Sequence, residues 1–177
     1  MLVGPAIKLA LERGNQSIEA GASMRRTPEA VTRDWFERVW NQGSESAIDE
    51  LLAVDAQMHG LPTPDNKPLV GPAGFKPFFR RFHSAFPDVH TDVVRTVAEG
   101  EYVALHCRVS GTHHGDSLGI VPTHRPIDIW GMGIAHVKGG QVVEAWNAFD
   151  FLSLYQQLGL LPAGGASEEA SPSGDLT

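Results

Sequence analysis

The chain has a single cysteine, Cys107. That excludes an intramolecular disulfide and any cysteine-based zinc cluster. Cys107 falls inside an apolar run, the setting of a buried structural thiol. No apolar run approaches the roughly 20 residues needed to span a membrane, so a membrane is not an expected partner. Positive charge is scarce: 14 Lys and Arg stand against 21 Asp and Glu, a net charge of −7. Without a basic stripe, nucleic acid is not an expected partner either. Lys8, Glu12 and Arg13 interrupt the mildly apolar first residues, a poor signal-peptide pattern, and the expected location is cytoplasmic. Familiar reactive motifs are missing as well. None of the eight histidines falls in an HExxH or H-x-H pattern, so the sequence presents no metal site. "GGQVVE" reads as a hairpin turn and not a phosphate loop, and no G-x-S-x-G elbow occurs.

What is present suits one α+β domain. The 177 residues are 42% hydrophobic and 20% charged, ordinary values for a globular protein with a sizeable core. Residues 1–26 read as a peripheral segment with a short helix over Pro5 to Arg13. Residues 162–177 are Gly, Ser, Ala, Pro and acid, the composition of a disordered tail. The folded body is 27–161. It opens with Thr27 as N-cap and Pro28 at the first helical position, and Gly43 ends that helix. Ser46 to Leu52 predicts a second short helix, and Val54 to His59 an extended segment. Gly71 to Phe86 predicts a helix whose phenylalanines recur at three- and four-residue spacings. Pro77 must fall near its start or bend it. From Pro87 the period changes to two. Consecutive strands follow, with tight turns at Glu99-Gly100 and Gly139-Gly140. "FLSLYQQLGL" closes as a helix that stops at Gly159. Helices segregated to one side of a curved antiparallel sheet enclose a pocket for a small apolar or aromatic molecule.

In the strand from Ile127 to Val137 both alternating sets are apolar. One is Ile127, Ile129, Gly131, Gly133 and Ala135. The other is Trp130, Met132, Ile134 and His136. A sheet with one wet face alternates more cleanly. The expectation is that helices cover one face and a second copy of the chain covers the other, as a homodimer.

"FERVWNQG", "AFPD", "VAEGEYVALHCRVSGTHHG", "GIVPTHRPI" and "GGQVVEAWNAFDFLSLYQQLG" together resemble the SnoaL-like polyketide cyclase family, over roughly Val31 to Leu160. The resemblance implies the cone-shaped NTF2-like (cystatin-like) fold and a pocket that works without a cofactor. In the cyclase members an aspartate near the end of the last strand is the acid/base of an intramolecular aldol closure. The matching position is Asp150. The implied activity is that of a cyclase or related lyase or isomerase acting on a carbonyl-rich, polyketide-like molecule. One departure is that the family often has Gly where His124 stands.

Asp150 carries two readings. It can cap the helix that begins at Phe151. Alternatively, it shares a strand face with Trp146 and Ala148, where an apolar wall would raise its pKa toward neutrality for acid/base work. His113 either fixes its loop or takes part in catalysis. His59 ends the first strand-like segment and is the best polar candidate for substrate binding. His106 belongs to the pocket or to a polar sheet face. Trp130, Met132, His136 and Trp146 complete the candidate substrate-binding set, as wall for a planar ligand or as ordinary core. Two further readings use the same fold. One is a non-catalytic binding module. The other is a hydrolase or cofactor-free oxygenase; epoxide-type hydrolysis wants paired carboxylates with an arginine between them, which Asp128, Arg108 and Asp150 would supply by converging.

Overall fold

Thr27 accepts a hydrogen bond from the backbone N–H of Ala30, and Pro28 follows it without a donor to waste. The helix so started, α1 (Pro28–Asp34), runs directly into a π-helical segment, Trp35–Asn41. Gly43, at φ +65°, stops it, and the Ser44 N–H closes back on the Arg38 carbonyl. A computed structural model describes residues 26–162. The expected helix at Pro5 to Arg13 and the expected disordered tail lie outside those residues, apart from Pro162. No helix among the described residues is long and apolar enough to cross a membrane.

Ser44 caps α2 (Glu45–Leu51) by accepting from the Ala47 N–H. The chain passes straight into β1 (Leu52–His59), then the short β2 (Leu69–Val70) and α3 (Gly71–Ala85). Pro77 lies inside α3, in its second turn and not at its start. Four long strands follow: β3 (His90–Glu99), β4 (Tyr102–Thr112), β5 (Pro126–Lys138) and β6 (Gln141–Phe149). The β3–β4 turn is Gly100-Glu101, one residue later than the spacing suggests. The β5–β6 turn is Gly139-Gly140, at φ +60° and +88°, two positive values that a two-residue hairpin of this twist requires. The last helix is α4 (Phe151–Gln157).

The strands form one six-stranded sheet in the order β2-β1-β6-β5-β4-β3. It is curved and does not close on itself. Four of the five strand pairings are antiparallel, as expected, but β1 pairs parallel with β6. The sheet is therefore mixed. The reason is connectivity: α2 delivers β1 beside the last strand, and a crossover of that length permits parallel pairing.

All four helices sit against one side of the curve or its ends. Inward-facing residues of the sheet (Leu105, Cys107, Val109, Ile127, Ile129, Ala135) join Val31, Trp35, Ile48, Leu51, Phe75 and Phe79 in one buried core. Full burial of each such large side chain stabilises by about 1.5–3 kcal/mol. Cys107 is buried and unpaired, and burial pushes its thiol up to about 11.

Candidate functional site: an aromatic cavity

The π-helical turn brings Phe36 and Trp40 to the same side, above the concave face of the sheet. Its wider turn is marked by the Gln42 N–H donating to the Glu37 carbonyl five residues back. From α3, the four-residue spacing places Phe78 and Phe82 opposite. Trp40 meets both edge-on, at ring-centroid separations of 6.3 Å and 5.7 Å. Between these rings and the sheet lies a cavity of about 420 Å³, counting its open mouth. The sheet floors it with Thr91, Val109, Ile129 and Phe149, and Leu61, Val89 and Phe151 close its sides. No lining residue is ionisable. Its surface is almost wholly apolar.

Gly131 makes room for part of this wall. A Cβ at that position would lie 2.2 Å from the Phe149 ring. The absence of a side chain lets that ring lie against β5. Asn41 anchors the opposite side: its amide accepts from the Thr91 N–H at 2.8 Å and donates to the Thr91 carbonyl at 3.1 Å. That pair ties the π-helical segment to β3 at the cavity.

Asp150 stands between Phe149 and Phe151, both of which line the cavity. Its side chain caps α4. One oxygen accepts from the Ser153 N–H at 2.9 Å and the other from the Ser153 hydroxyl at 2.6 Å. These two bonds, the hydroxyl's first, hold its carboxyl below the usual range. The expected rise toward neutrality does not occur, because Asp150 is exposed and its carboxylate accepts from Ser153. The convergence required of a hydrolase is also missing. Arg108 forms a two-pronged ion pair with Asp128, whereas Asp150 bonds only to Ser153.

His113 is fully buried but does not line the cavity. It packs against Phe86, and its Nδ1 accepts from the Thr123 N–H at 3.1 Å. Burial depresses its pKa, so it stays neutral near pH 7. Its position corrects the catalytic expectation, since it pins the loop between β4 and β5.

The six expected substrate-binding residues are absent from the cavity lining as well. Strand alternation carries His106, Trp130, Met132, His136 and Trp146 to the outer face of the sheet, away from the helices, and His59 joins them at the end of β1. There they form three stacked pairs: His106 on Trp130 at 4.7 Å, His136 on Tyr102 at 4.3 Å and His59 on Trp146 at 5.6 Å. His59 Nε2 also lies 2.9 Å from Glu144. Trp130 is 50% exposed and Met132 61%. The cavity is lined instead by residues including Phe36, Trp40, Phe78, Phe82 and Phe149. Their aromatic spacing was legible, but it reads equally as ordinary helix packing.

The family model of the SnoaL-like polyketide cyclases matches residues 30–158. The chain belongs to the SnoaL-like polyketide cyclase family. Among solved structures, it is similar to IdmH of Streptomyces antibioticus, a candidate polyketide cyclase. The two are 28% identical over 76% of this chain and 99% of that one, with a TM-score of 0.67. AclR of Streptomyces galilaeus, a candidate hydroxylase, is 26% identical over 77% of this chain and 87% of that one, with a TM-score of 0.66. A protein of ketosteroid isomerase-like fold from Catenulispora acidiphila, solved with trimethylamine, shares that fold at 17% identity. It covers 77% of this chain and 96% of that one, with a TM-score of 0.62. No curated protein matches the chain.

Proposed function

We propose that the protein is a cofactor-independent cyclase, or a related lyase or isomerase, for a planar carbonyl-rich molecule, with Asp150 as its acid/base. The observation that carries this reading is the place of Asp150 between two cavity-lining rings. An aromatic substrate held by Trp40, Phe78, Phe82 and Phe149 would present its reactive edge at the mouth. The lowered pKa supports a carboxylate that starts as the base. Asp150 removes a proton from carbon between two carbonyls. The enolate carbon attacks the acceptor carbonyl carbon, and the new alkoxide takes the proton back from Asp150. The cavity contributes orientation and excludes water.

Asp150→Asn separates the roles, because asparagine still caps a helix. The expected result is an unchanged melting temperature and a loss of turnover of roughly 10²–10⁴-fold, the usual worth of a positioned general base. Normal turnover by that variant would overturn the acid/base role. The lack of any ionisable group in the lining favours a second reading, in which the domain only binds its ligand. That reading expects no turnover by either form and equal ligand retention by both, followed by quenching of tryptophan fluorescence.

The outer face supports the partner expected from the sequence, a second copy of the chain. Trp130, Met132, Ile134, Trp146 and Tyr102 leave large apolar side chains exposed together there, which suits an interface with a partner. In such a homodimer the residues expected to touch substrate would touch the partner instead.

A further inference from the structure

The loop between β4 and β5 (residues 113–125) holds two histidines that neither the cavity nor the outer face uses. We infer that His114 and His124 form a two-histidine site for a divalent, zinc-like transition-metal ion, separate from the aromatic cavity. Their Nδ1 atoms lie 3.4 Å apart. The ring centroids are 5.5 Å apart and the planes cross at 62°. A direct hydrogen bond between two ring nitrogens is shorter, about 2.9–3.0 Å. Two imidazoles on one tetrahedral ion, each about 2.0–2.1 Å from it, hold their nitrogens about 3.3 Å apart. The observed spacing is that of a long hydrogen bond between the two rings, and it also matches the edge of a coordination tetrahedron.

The backbone presents the pair in advance. The His114 N–H donates to the Ala85 carbonyl at 2.8 Å, which fixes it to the end of α3. The His124 N–H donates to the His113 carbonyl at 3.0 Å, and the His113 N–H to the Arg125 carbonyl at 3.1 Å. His113 does not converge with them, and its Nδ1 is taken by Thr123. His124 has φ +55°, in the left-handed region where glycine is at ease and a side chain is strained. A loop that needed only this turn would be better served by glycine. The imidazole held there points to a use for the side chain.

Among the described residues no group of three or more His, Cys, Asp or Glu converges on one point. Two positions of the tetrahedron are therefore left for water or an outside ligand. Imidazole pairs of this kind suit zinc, nickel and copper, and an open, exposed site exchanges its ion readily.

The test is a competition titration of Zn²⁺ alone between the full chain and a chromophoric chelator at pH 7.5. The expected result is one ion per chain in the micromolar range. Loss of supporting residues outside the ligand set already costs metal sites about 10–100-fold. His114→Ala and His124→Gly, which remove direct ligands, are expected to weaken binding at least about tenfold. His90→Ala, which removes an exposed histidine of β3, leaves it unchanged. His124→Gly also relieves the strained φ, so its melting temperature in the absence of zinc is no lower than that of the parent. Zinc raises the melting temperature of the parent and not of that variant. Equal zinc binding by the parent and by the double variant H114A/H124G, or no binding by the parent at millimolar zinc, overturns the inference.

Discussion

The two faces of β5 make the most instructive comparison in this molecule. Both are apolar. The inner face, Ile127, Ile129 and Ala135, is buried beneath the helices, while Trp130, Met132 and Ile134 stand exposed on the other side. Hydrophobicity therefore does not say where the pocket is. The larger and more aromatic set lies outside. The inner set includes Gly131 and Gly133, and its small size leaves room for rings supplied by the helices and by β6.

The largest effect that would break this comparison comes from the core beneath the cavity. Phe75 is buried against Trp35, Trp40 and Phe78. Phe75→Ala is expected to cost about 3–5 kcal/mol in urea unfolding, whereas Trp130→Ala, on the exposed face, costs the isolated monomer less than about 1 kcal/mol. Equal costs would show that the two faces are equally covered in the folded monomer.

Association is the next test. Met132→Lys with Ile134→Lys puts two like charges at the centre of the outer face. Sedimentation at micromolar concentration should show the parent as a dimer and the double variant as a folded monomer, with dissociation raised about 100-fold or more. A parent that sediments as a monomer at all concentrations removes the second copy from the account.

Gly131→Ala acts on the inner face alone. The added methyl forces the Phe149 ring out of its place and into the cavity. Affinity for a planar aromatic probe should fall about tenfold, the worth of about 1.4 kcal/mol, with secondary structure unchanged by circular dichroism. An unchanged affinity would mean that Phe149 is not part of the binding wall.

The smallest effect concerns pH. His83 and His113 both titrate below the usual histidine value, chiefly because burial disfavours the charged ring. A depressed folded pKa contributes stability that is present above the unfolded value, about 6.5, and is lost as pH falls through the folded value. The urea midpoint should therefore decline from pH 7 toward pH 5. His113→Gln should flatten part of that slope, and an equal slope in the variant would place the titration elsewhere.

Most of the secondary structure was legible because its signals are local. Thr27 and Pro28 start a helix, Gly139-Gly140 turns a hairpin, and the period of two puts Trp130, Met132 and His136 on one face wherever the sheet lies. The π-helical turn was not legible, since one extra residue in a turn hardly changes a three- to four-residue pattern. The parallel pairing of β1 with β6 was not legible either, because it depends on where α2 delivers the chain. The candidate site was read in part. Asp150 has the cap geometry that its position before Phe151 allows. The six binding candidates went to the wrong side of the sheet because alternation assigns residues to a common face without saying which face the helices cover.

By itself, then, the sequence determined the elements, their caps and turns, the family, and which side chains travel together. Those depend on chemistry within a few residues, or on a long pattern of matched spacings. Only the tertiary structure decided that the rings of the π-helical segment and α3 close over the glycine-bearing face, and that His114 meets His124. Each of these depends on atoms far apart in the chain being brought within a few ångströms, and no local pattern specifies that distance.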